Sequence, residues 1–156
     1  MKQLTLDQLD ELSQQARLSS RLRMNINLHT QLSDPVQRLV IAMEPDTLIK
    51  PHRHLQTWEL LLPLRGRFVV LWFDDQGRVT ERVVLGENCV AHETPEGVWH
   101  TVLSLDKGGV IFEVKKGPYQ AFTPQNFAPG FAEDNVQRDT VLNAWYARAQ
   151  VGDCLW

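Results

Sequence analysis

The chain has 156 residues, of which 43% are hydrophobic and 22% are charged, and this size and composition fit one compact domain over 1–156. Its formal charge of -3 gives no long-range attraction to nucleic acid or anionic lipid, so we expect neither as a partner. The opening MKQLTLDQLDELSQQ breaks its apolar residues with acids and amides, which argues against a signal peptide or a membrane span and favours a cytoplasmic protein.

Helical patterns occur near both ends of the chain. Thr5 and Gln8 fit a capping box, and the apolar residues that follow recur at helical spacing, which predicts an amphipathic helix over 5–18. The segment VQRDTVLNAWYARAQ predicts a second helix over 136–150, packed on the rest of the chain or on a second subunit. A homodimer is therefore an open expectation, with Trp145 among the aromatic residues available for its contact.

Between the helices the pattern changes to short runs of strand-forming residues separated by turns, over about 24–122. The clearest hairpin is FDDQGRV, where Asp74, Asp75 and Gly77 supply the turn. Seven or more short strands without a helix between them predict an all-β fold, either a sandwich or a barrel.

Three histidines and a glutamate in this region have side chains that bind metals. His52 and His54 are two residues apart, so in an extended segment both project to one face. Glu59 follows His52 by an odd number of residues, so on an unbroken strand its side chain would project to the opposite face. A bend or a change of strand is therefore needed to place it beside the histidines. His100 opens a later strand after a Pro-Gly turn and supplies a third imidazole. Three imidazoles and one carboxylate suit one divalent ion of Fe, Mn, Ni or Zn, with positions left for water or substrate.

The spacing of these residues resembles the two signature motifs of the cupin superfamily. The matching positions are His52, His54, Glu59 and Gly66 in the first motif, and Pro95, Gly97 and His100 in the second. Asp46 and Cys89 stand where the superfamily usually has glycine, and Ser104 where it has asparagine. The resemblance implies a double-stranded β-helix, or jelly-roll barrel, of the RmlC-like type, here with a helix at each end, and a metal bound by the four ligand positions.

A second resemblance covers about residues 20 to 134. The segments RMNINLH, KPHRH, FDDQGRV, WHTV, FEVKKGPY and NFAPGFAED are similar to the WbuC family of cupin fold metalloproteins. This resemblance implies a small bacterial protein, encoded in some cases among genes for O-antigen or other surface-polysaccharide biosynthesis. The residues after about Val136 lie outside it.

Several polar residues near these motifs are candidates for binding or catalysis. Lys50 shares the face of the two histidines if the segment is unbroken, so it is a candidate proton carrier. Arg38 and Arg67 flank the proposed ligand strands and are candidates to bind a carboxylate, a phosphate or a sugar hydroxyl, unless they are solvated edge charges. Tyr119 follows a Gly-Pro turn, where it can contact substrate or simply cap the barrel.

Glu113 lies in the run VIFEVKK, where Val110, Phe112 and Val114 share one face and Ile111, Glu113 and Lys115 the other. The ordinary arrangement would turn the apolar face inward. In a barrel with a polar cavity, the other face would turn inward and Glu113 would be an acid or base beside the metal.

The leading functional expectation is a metalloenzyme acting on a small polar molecule, with a sugar or sugar nucleotide as the class that the resemblance implies. The reaction would be an isomerisation or elimination, or with iron a dioxygenation. The alternative is a metal-containing sugar-binding, sensor or accessory module without catalysis. A metal position that opens onto a cavity large enough for substrate would separate the two.

Overall fold

The computed structural model describes residues 2–156 and contains two antiparallel sheets with a helix at each end. The elements in chain order are α1 (Leu6–Leu18), β1 (Arg23–Asn27), β2 (Val36–Met43), β3 (Glu59–Arg65), β4 (Phe68–Phe73), β5 (Val79–Leu85), β6 (His92–Thr94), β7 (Trp99–Ser104), β8 (Gly109–Lys116), a 3-10 turn (Pro124–Asn126) and α2 (Val136–Arg148). One sheet has the order β1-β2-β8-β3-β6, and the other has the order β5-β4-β7. The all-β prediction with a helix at each end is confirmed.

Local signals account for the start of each helix. The Thr5 hydroxyl accepts a hydrogen bond from the Gln8 N–H at 3.3 Å, and the Gln8 side chain accepts one from the Thr5 N–H at 2.9 Å. The predicted capping box is therefore present. The second helix begins after Asn135, whose side-chain oxygen accepts from the Arg138 N–H at 3.0 Å, and it ends two residues before the predicted boundary. Within residues 2–156, neither helix is long and apolar enough to cross a membrane.

The hairpin between β4 and β5 has the predicted turn. The Asp74 side chain accepts hydrogen bonds from the N–H groups of Gln76 and Arg78, both at 2.9 Å. Gly77 has φ +78°, in the left-handed region that favours glycine.

The apolar residues form three clusters, which gives the molecule a layered structure. Between the sheets, one cluster joins both of them: Met43, Leu61 and Ile111 from the first, with Phe68, Val70, Leu85 and Val102 from the second. On the outer face of the five-stranded sheet, α1 packs with Leu9, Leu12 and Ala16 against Val40, Ala42 and Val110. On the outer face of the three-stranded sheet, α2 packs with Leu142 and Tyr146 against Val69, Leu71, Phe73 and Leu103.

The aromatic residues of the C-terminal segment pack against other residues of the same chain. Tyr146 is fully buried, and Trp145 and Trp156 pack against the same cluster, where both approach Phe73. The helix therefore packs on the barrel, which is one of the two arrangements that the sequence left open.

Candidate metal centre and its cavity

His52 and His100 are joined by a reciprocal pair of backbone hydrogen bonds. The His52 N–H donates to the His100 carbonyl at 2.9 Å, and the His100 N–H donates to the His52 carbonyl at 2.8 Å. This isolated antiparallel bridge brings the two imidazole centroids to 4.3 Å. Because backbone atoms set the pairing, the two side chains are positioned independently of any ligand.

His54 and Glu59 complete the group from the other sheet and the loop before it. Strand β3 begins at Glu59, and residues 53–58 contain no strand, so the predicted bend between the histidines and the glutamate is confirmed. The carboxylate Oε2 lies 3.1 Å from His54 Nε2, and Oε1 lies 3.6 Å from His100 Nε2. The ligand atoms of His52, His54 and His100 all lie within 4.8 Å of one another, so these three histidines can hold a metal ion.

Backbone carbonyls determine which ring nitrogen of His52 and of His100 is free to bind a metal. The Nδ1 atoms of His52 and His100 lie 2.9 Å from the carbonyls of Lys50 and Val98. A carbonyl only accepts, so each Nδ1 carries the hydrogen and each Nε2 has a free lone pair. His100 Nε2 is buried and has no hydrogen-bond partner among residues 2–156. This buried acceptor without a donor, with carbonyls fixing the tautomers, fits a divalent cation.

Burial and neighbouring groups favour the metal-binding protonation states of His52 and Glu59. The pKa of His52 is well below its ordinary value, first because of burial and then because of His100 and His54, which favours the neutral imidazole. Burial alone would raise the pKa of Glu59, but the interactions with His100 and His54 hold it well below its usual range. Neutral imidazole and ionised carboxylate are the ligating forms.

His52 and His54 line a cavity of about 570 Å³, which we call the central cavity. It is lined by Arg21, Arg23, Met24, Asn25, Leu39, Ile41, Met43, Leu48, Ile49, Lys50, His52, His54, Glu59, Val102, Glu113, Lys115, Phe122, Phe127, Ala132 and Asp134. This volume lies within the range that holds a small-molecule ligand.

Glu113 and Lys115 face this cavity from β8. Val110 and Phe112, on the alternate face of the strand, pack under α1, so the polar face of this strand is the inner one. Glu113 Oε1 lies 2.6 Å from the Lys115 Nζ. Burial, and then the charge of Glu59, raises the pKa of Glu113 to about 7.

Lys50 lines the central cavity with His52 and His54, and its ammonium group is paired with carboxylates of α2 and of the segment that leads into it. It lies 2.6 Å from a carboxylate oxygen of Asp134 and 3.9 Å from one of Asp139, and it donates to the Glu133 carbonyl at 3.1 Å. Lys50 therefore ties the loop before α2 to the wall of the cavity.

The three candidate substrate-binding residues lie in different places. Arg38 is 3.8 Å from Asp34, and Arg67 makes a two-pronged contact with Asp106 at 3.0 and 2.9 Å; neither lines the central cavity. Tyr119 is half exposed and lines a second cavity of about 350 Å³. Tyr119 thus lines the same cavity as His54, whereas Arg38 and Arg67 line neither cavity.

This second cavity, which we call the outer cavity, adjoins the central one at Phe122. Its lining is Arg21, Arg23, Gln37, His54, Leu55, Gln56, Thr57, Lys115, Lys116, Pro118, Tyr119, Gln120, Ala121, Phe122 and Asn126. The Phe122 ring centroid lies 5.1 Å from that of His52 and 5.3 Å from that of His54. Phe122 therefore covers the histidines on the side of the outer cavity.

Arg21, Arg23 and Phe122 were not among the residues predicted from the sequence. Phe122 belongs to an irregular segment, and nothing in its pattern indicates that the chain folds back over the histidines. For the arginines the one available signal was their position at the start of the first strand, which does not distinguish a cavity residue from a solvated one.

The comparisons with known proteins agree with this fold. The structure of TT1209 from Thermus thermophilus matches with a TM-score of 0.54 at 20% identity, covering 74% of this chain and 97% of that one. A mutant of the oxalate decarboxylase OxdC from Bacillus subtilis matches with a TM-score of 0.52 at 18% identity, covering 69% of this chain. The match spans only 28% of the decarboxylase chain. No curated protein shows significant sequence similarity.

The two sheets, the terminal helices and the histidine group define the class of protein by its fold: a cupin-type jelly-roll barrel in which three histidines can hold a metal ion. Within that class, the chain belongs to the family described as Domain of unknown function (DUF6016), whose model matches residues 4–85, just over half of the chain. None of these matches tests the resemblance to the WbuC family, which stays a prediction.

Proposed function

We propose that this cupin is a divalent-metal enzyme that moves a proton on a small polar molecule. The observation that carries the proposal is that His52 and His54, two of the three histidines that can hold a metal, line the central cavity together with Glu113. A closed site would leave no room for substrate, whereas this one adjoins about 570 Å³ of space.

In this proposal His52, His54, His100 and Glu59 hold the metal, as the family motif implies. A bound divalent ion supplies Lewis-acid stabilisation of negative charge that develops on a substrate oxygen. Glu113 is the proton carrier, because its carboxyl group faces the same cavity and is buried beside an ammonium group. Lys115 orients that carboxyl group, and Phe122 limits the access of water to the histidines.

The substrate class that we propose is a sugar or a sugar nucleotide. The central cavity offers cations and carboxylates for hydroxyl groups, and apolar residues such as Leu39, Ile41 and Met43 for the less polar face of a ring. A role in surface-polysaccharide metabolism is proposed from the WbuC resemblance alone.

The metal part of the proposal is tested by elemental analysis of protein purified without a metal-affinity tag. We expect about one divalent ion per chain in the wild type and little in His52→Ala. The control is His29→Asn, because His29 is a buried histidine outside the central cavity and asparagine keeps an acceptor for the Arg38 N–H. Metal-free wild type, or equal metal in His52→Ala, contradicts the proposal.

The catalytic part is tested by NMR of metal-loaded protein in D2O with aldoses, sugar acids and nucleotide sugars. A proton-moving enzyme incorporates deuterium at carbon or converts one of these compounds, and Glu113→Gln loses that activity while it keeps the metal. If a compound binds to the wild type without exchange or conversion, the binding-module alternative holds instead.

A further inference from the structure

Arg21 and Arg23 lie on either side of Leu22, at the point where the chain enters β1. Both side chains line the central cavity and the outer cavity. Arg21 is exposed and Arg23 is partly buried, so the pair spans from solvent into the space that leads to the histidines.

The backbone between the two arginines is held by specific contacts. Leu22 has φ +54°, a left-handed conformation that residues other than glycine rarely adopt. Its carbonyl accepts hydrogen bonds from the Glu44 N–H at 3.0 Å and from the Thr47 hydroxyl at 2.5 Å. These contacts fix the direction in which the chain passes from Arg21 to Arg23.

Neither guanidinium has a carboxylate within salt-bridge distance in the part of the chain that the structure describes. The one side-chain hydrogen bond of Arg23 is to the Leu48 carbonyl at 3.4 Å. The two lysines of the central cavity differ in this respect, since Lys50 is paired with Asp134 and Lys115 with Glu113. The arginines are therefore the uncompensated positive charge of the cavity.

The partial burial of Arg23 makes its unpaired positive charge unfavourable unless an anion binds to it. The pKa of Arg23 is lowered, first by burial and then by the neighbouring charge of Arg21. Two like charges at the edge of a cavity repel one another, and an oxyanion between them would relieve that repulsion. Planar guanidinium groups bind carboxylate and phosphate through paired hydrogen bonds.

We propose that Arg21 and Arg23 form an anion subsite that binds a carboxylate or phosphate group of the substrate at the outer end of the central cavity. The inference deepens the proposed function, on which it rests, by assigning a charged substrate: a sugar acid, a sugar phosphate or a nucleotide sugar. The neutral part of such a molecule would extend toward the histidines.

The subsite is tested by calorimetric titration of metal-free full-length protein at constant ionic strength. The probes are inorganic phosphate and acetate, followed by glucose 6-phosphate, glucuronate and glucose. We expect saturable binding of at least one anion, and binding of its sugar derivative at least about tenfold tighter than that of glucose. The preferred derivative tells whether phosphate or carboxylate is the natural group.

Three substitutions remove the same charge at different places. Arg23→Gln and Arg21→Gln should each weaken anion binding about tenfold, and Arg148→Gln, on the exposed last turn of α2, should not change it. Circular dichroism checks that the variants are folded, and the exposed Arg21 provides a test if Arg23→Gln does not fold. Absence of saturable binding, or equal affinity in wild type and both cavity variants, overturns the subsite.

The metal-free titration separates this inference from the proposed function. If the protein binds anions through these arginines but holds no stoichiometric metal, the subsite stands and the metalloenzyme proposal fails. If metal and deuterium exchange are found but the arginine variants bind anions as the wild type does, the subsite fails alone.

Discussion

The indole ring of Trp156 occupies the space in front of Gly77, so that a methyl group added to this glycine would lie 2.5 Å from Cδ2 of the ring. Gly77 is the left-handed residue of the β4–β5 hairpin, and the Leu155 N–H donates to its carbonyl at 2.9 Å. The C-terminal segment is therefore attached to this turn through both backbone and side chain.

Gly77→Ala should lower the free energy of unfolding by about 3 kcal/mol, because it adds left-handed strain and a clash with the partly buried ring of Trp156. Chemical denaturation measures the change. Gly97→Ala is the control, since Gly97 has φ +79° but no atom within 4 Å of the added methyl, and it should cost about 1 kcal/mol.

A Trp156→Ala background isolates the clash in that substitution. There the cost of Gly77→Ala should fall to about 1 kcal/mol, the cost of backbone strain alone. An unchanged cost in this background would show that Trp156 does not fill the space.

Glu113 should make the metal-free protein less stable as the pH rises. Its pKa is about 7 in the folded chain and near 4.5 when exposed, so between these values the folded state binds the extra proton. The stabilisation that comes from protonated Glu113 is therefore fully present below about pH 4.5 and is lost as the pH rises through 7. The free energy of unfolding falls by about 3 kcal/mol at most. Urea denaturation across this range measures it.

Glu113→Gln should remove that part of the pH dependence, because the amide does not titrate. Glu93→Gln is the matched control, since Glu93 is exposed on β6. If wild type and Glu113→Gln lose stability equally between pH 4.5 and pH 7, the buried carboxyl group does not titrate as stated.

Glu59→Gln should weaken metal binding by about 100-fold, because it removes the carboxylate that lies beside His54 and His100. Competition with a chelator of known affinity gives the ratio. Glu81→Gln is the control, because Glu81 pairs with His92 at 3.3 Å outside the central cavity and should leave the affinity unchanged. If both variants lost the same metal affinity, the effect would come from the removal of a negative charge and not from the removal of a metal ligand.

Phe122→Ala should speed the release of metal to a chelator several-fold, because the ring covers His52 and His54. The loss of a half-exposed ring should cost about 1 kcal/mol of stability. Tyr119→Ala removes an aromatic ring of similar exposure from the same segment, without a contact to the imidazoles, and should leave the release rate as in the wild type. The same release rate in both variants would show that Phe122 does not limit access.

The sequence predicted the strands and the histidine group well, because both depend on short-range spacing. His52 and His54 follow from a two-residue period, and the odd offset to Glu59 correctly required a bend before β3. His100 follows from a turn placed just before a strand. Each of these signals lies within a few residues of the feature that it predicts.

The contents of the cavity were harder to predict, because they depend on contacts between distant segments. Arg67 stands next to the motif glycine, yet it pairs with Asp106. Arg23 is far from the motifs in sequence, yet it lines the cavity with His52. The ordinary expectation for β8, that its apolar face turns inward, was wrong for a related reason: Val110 and Phe112 pack under α1 on the outside of the sheet. Which face turns toward the barrel depends on whether a helix covers the outside of the sheet.

The packing of α1 over the outer face of β8 separates two sets of residues within that strand. In β8, Val110 and Phe112 secure the fold under α1, and Glu113 and Lys115 on the opposite face meet the ligand space. Packing under the helix and lining of the central cavity are thus assigned to alternate positions of one strand. Substitutions at every second residue can therefore change the charge and shape of the cavity while the helix-covered residues keep the chain folded.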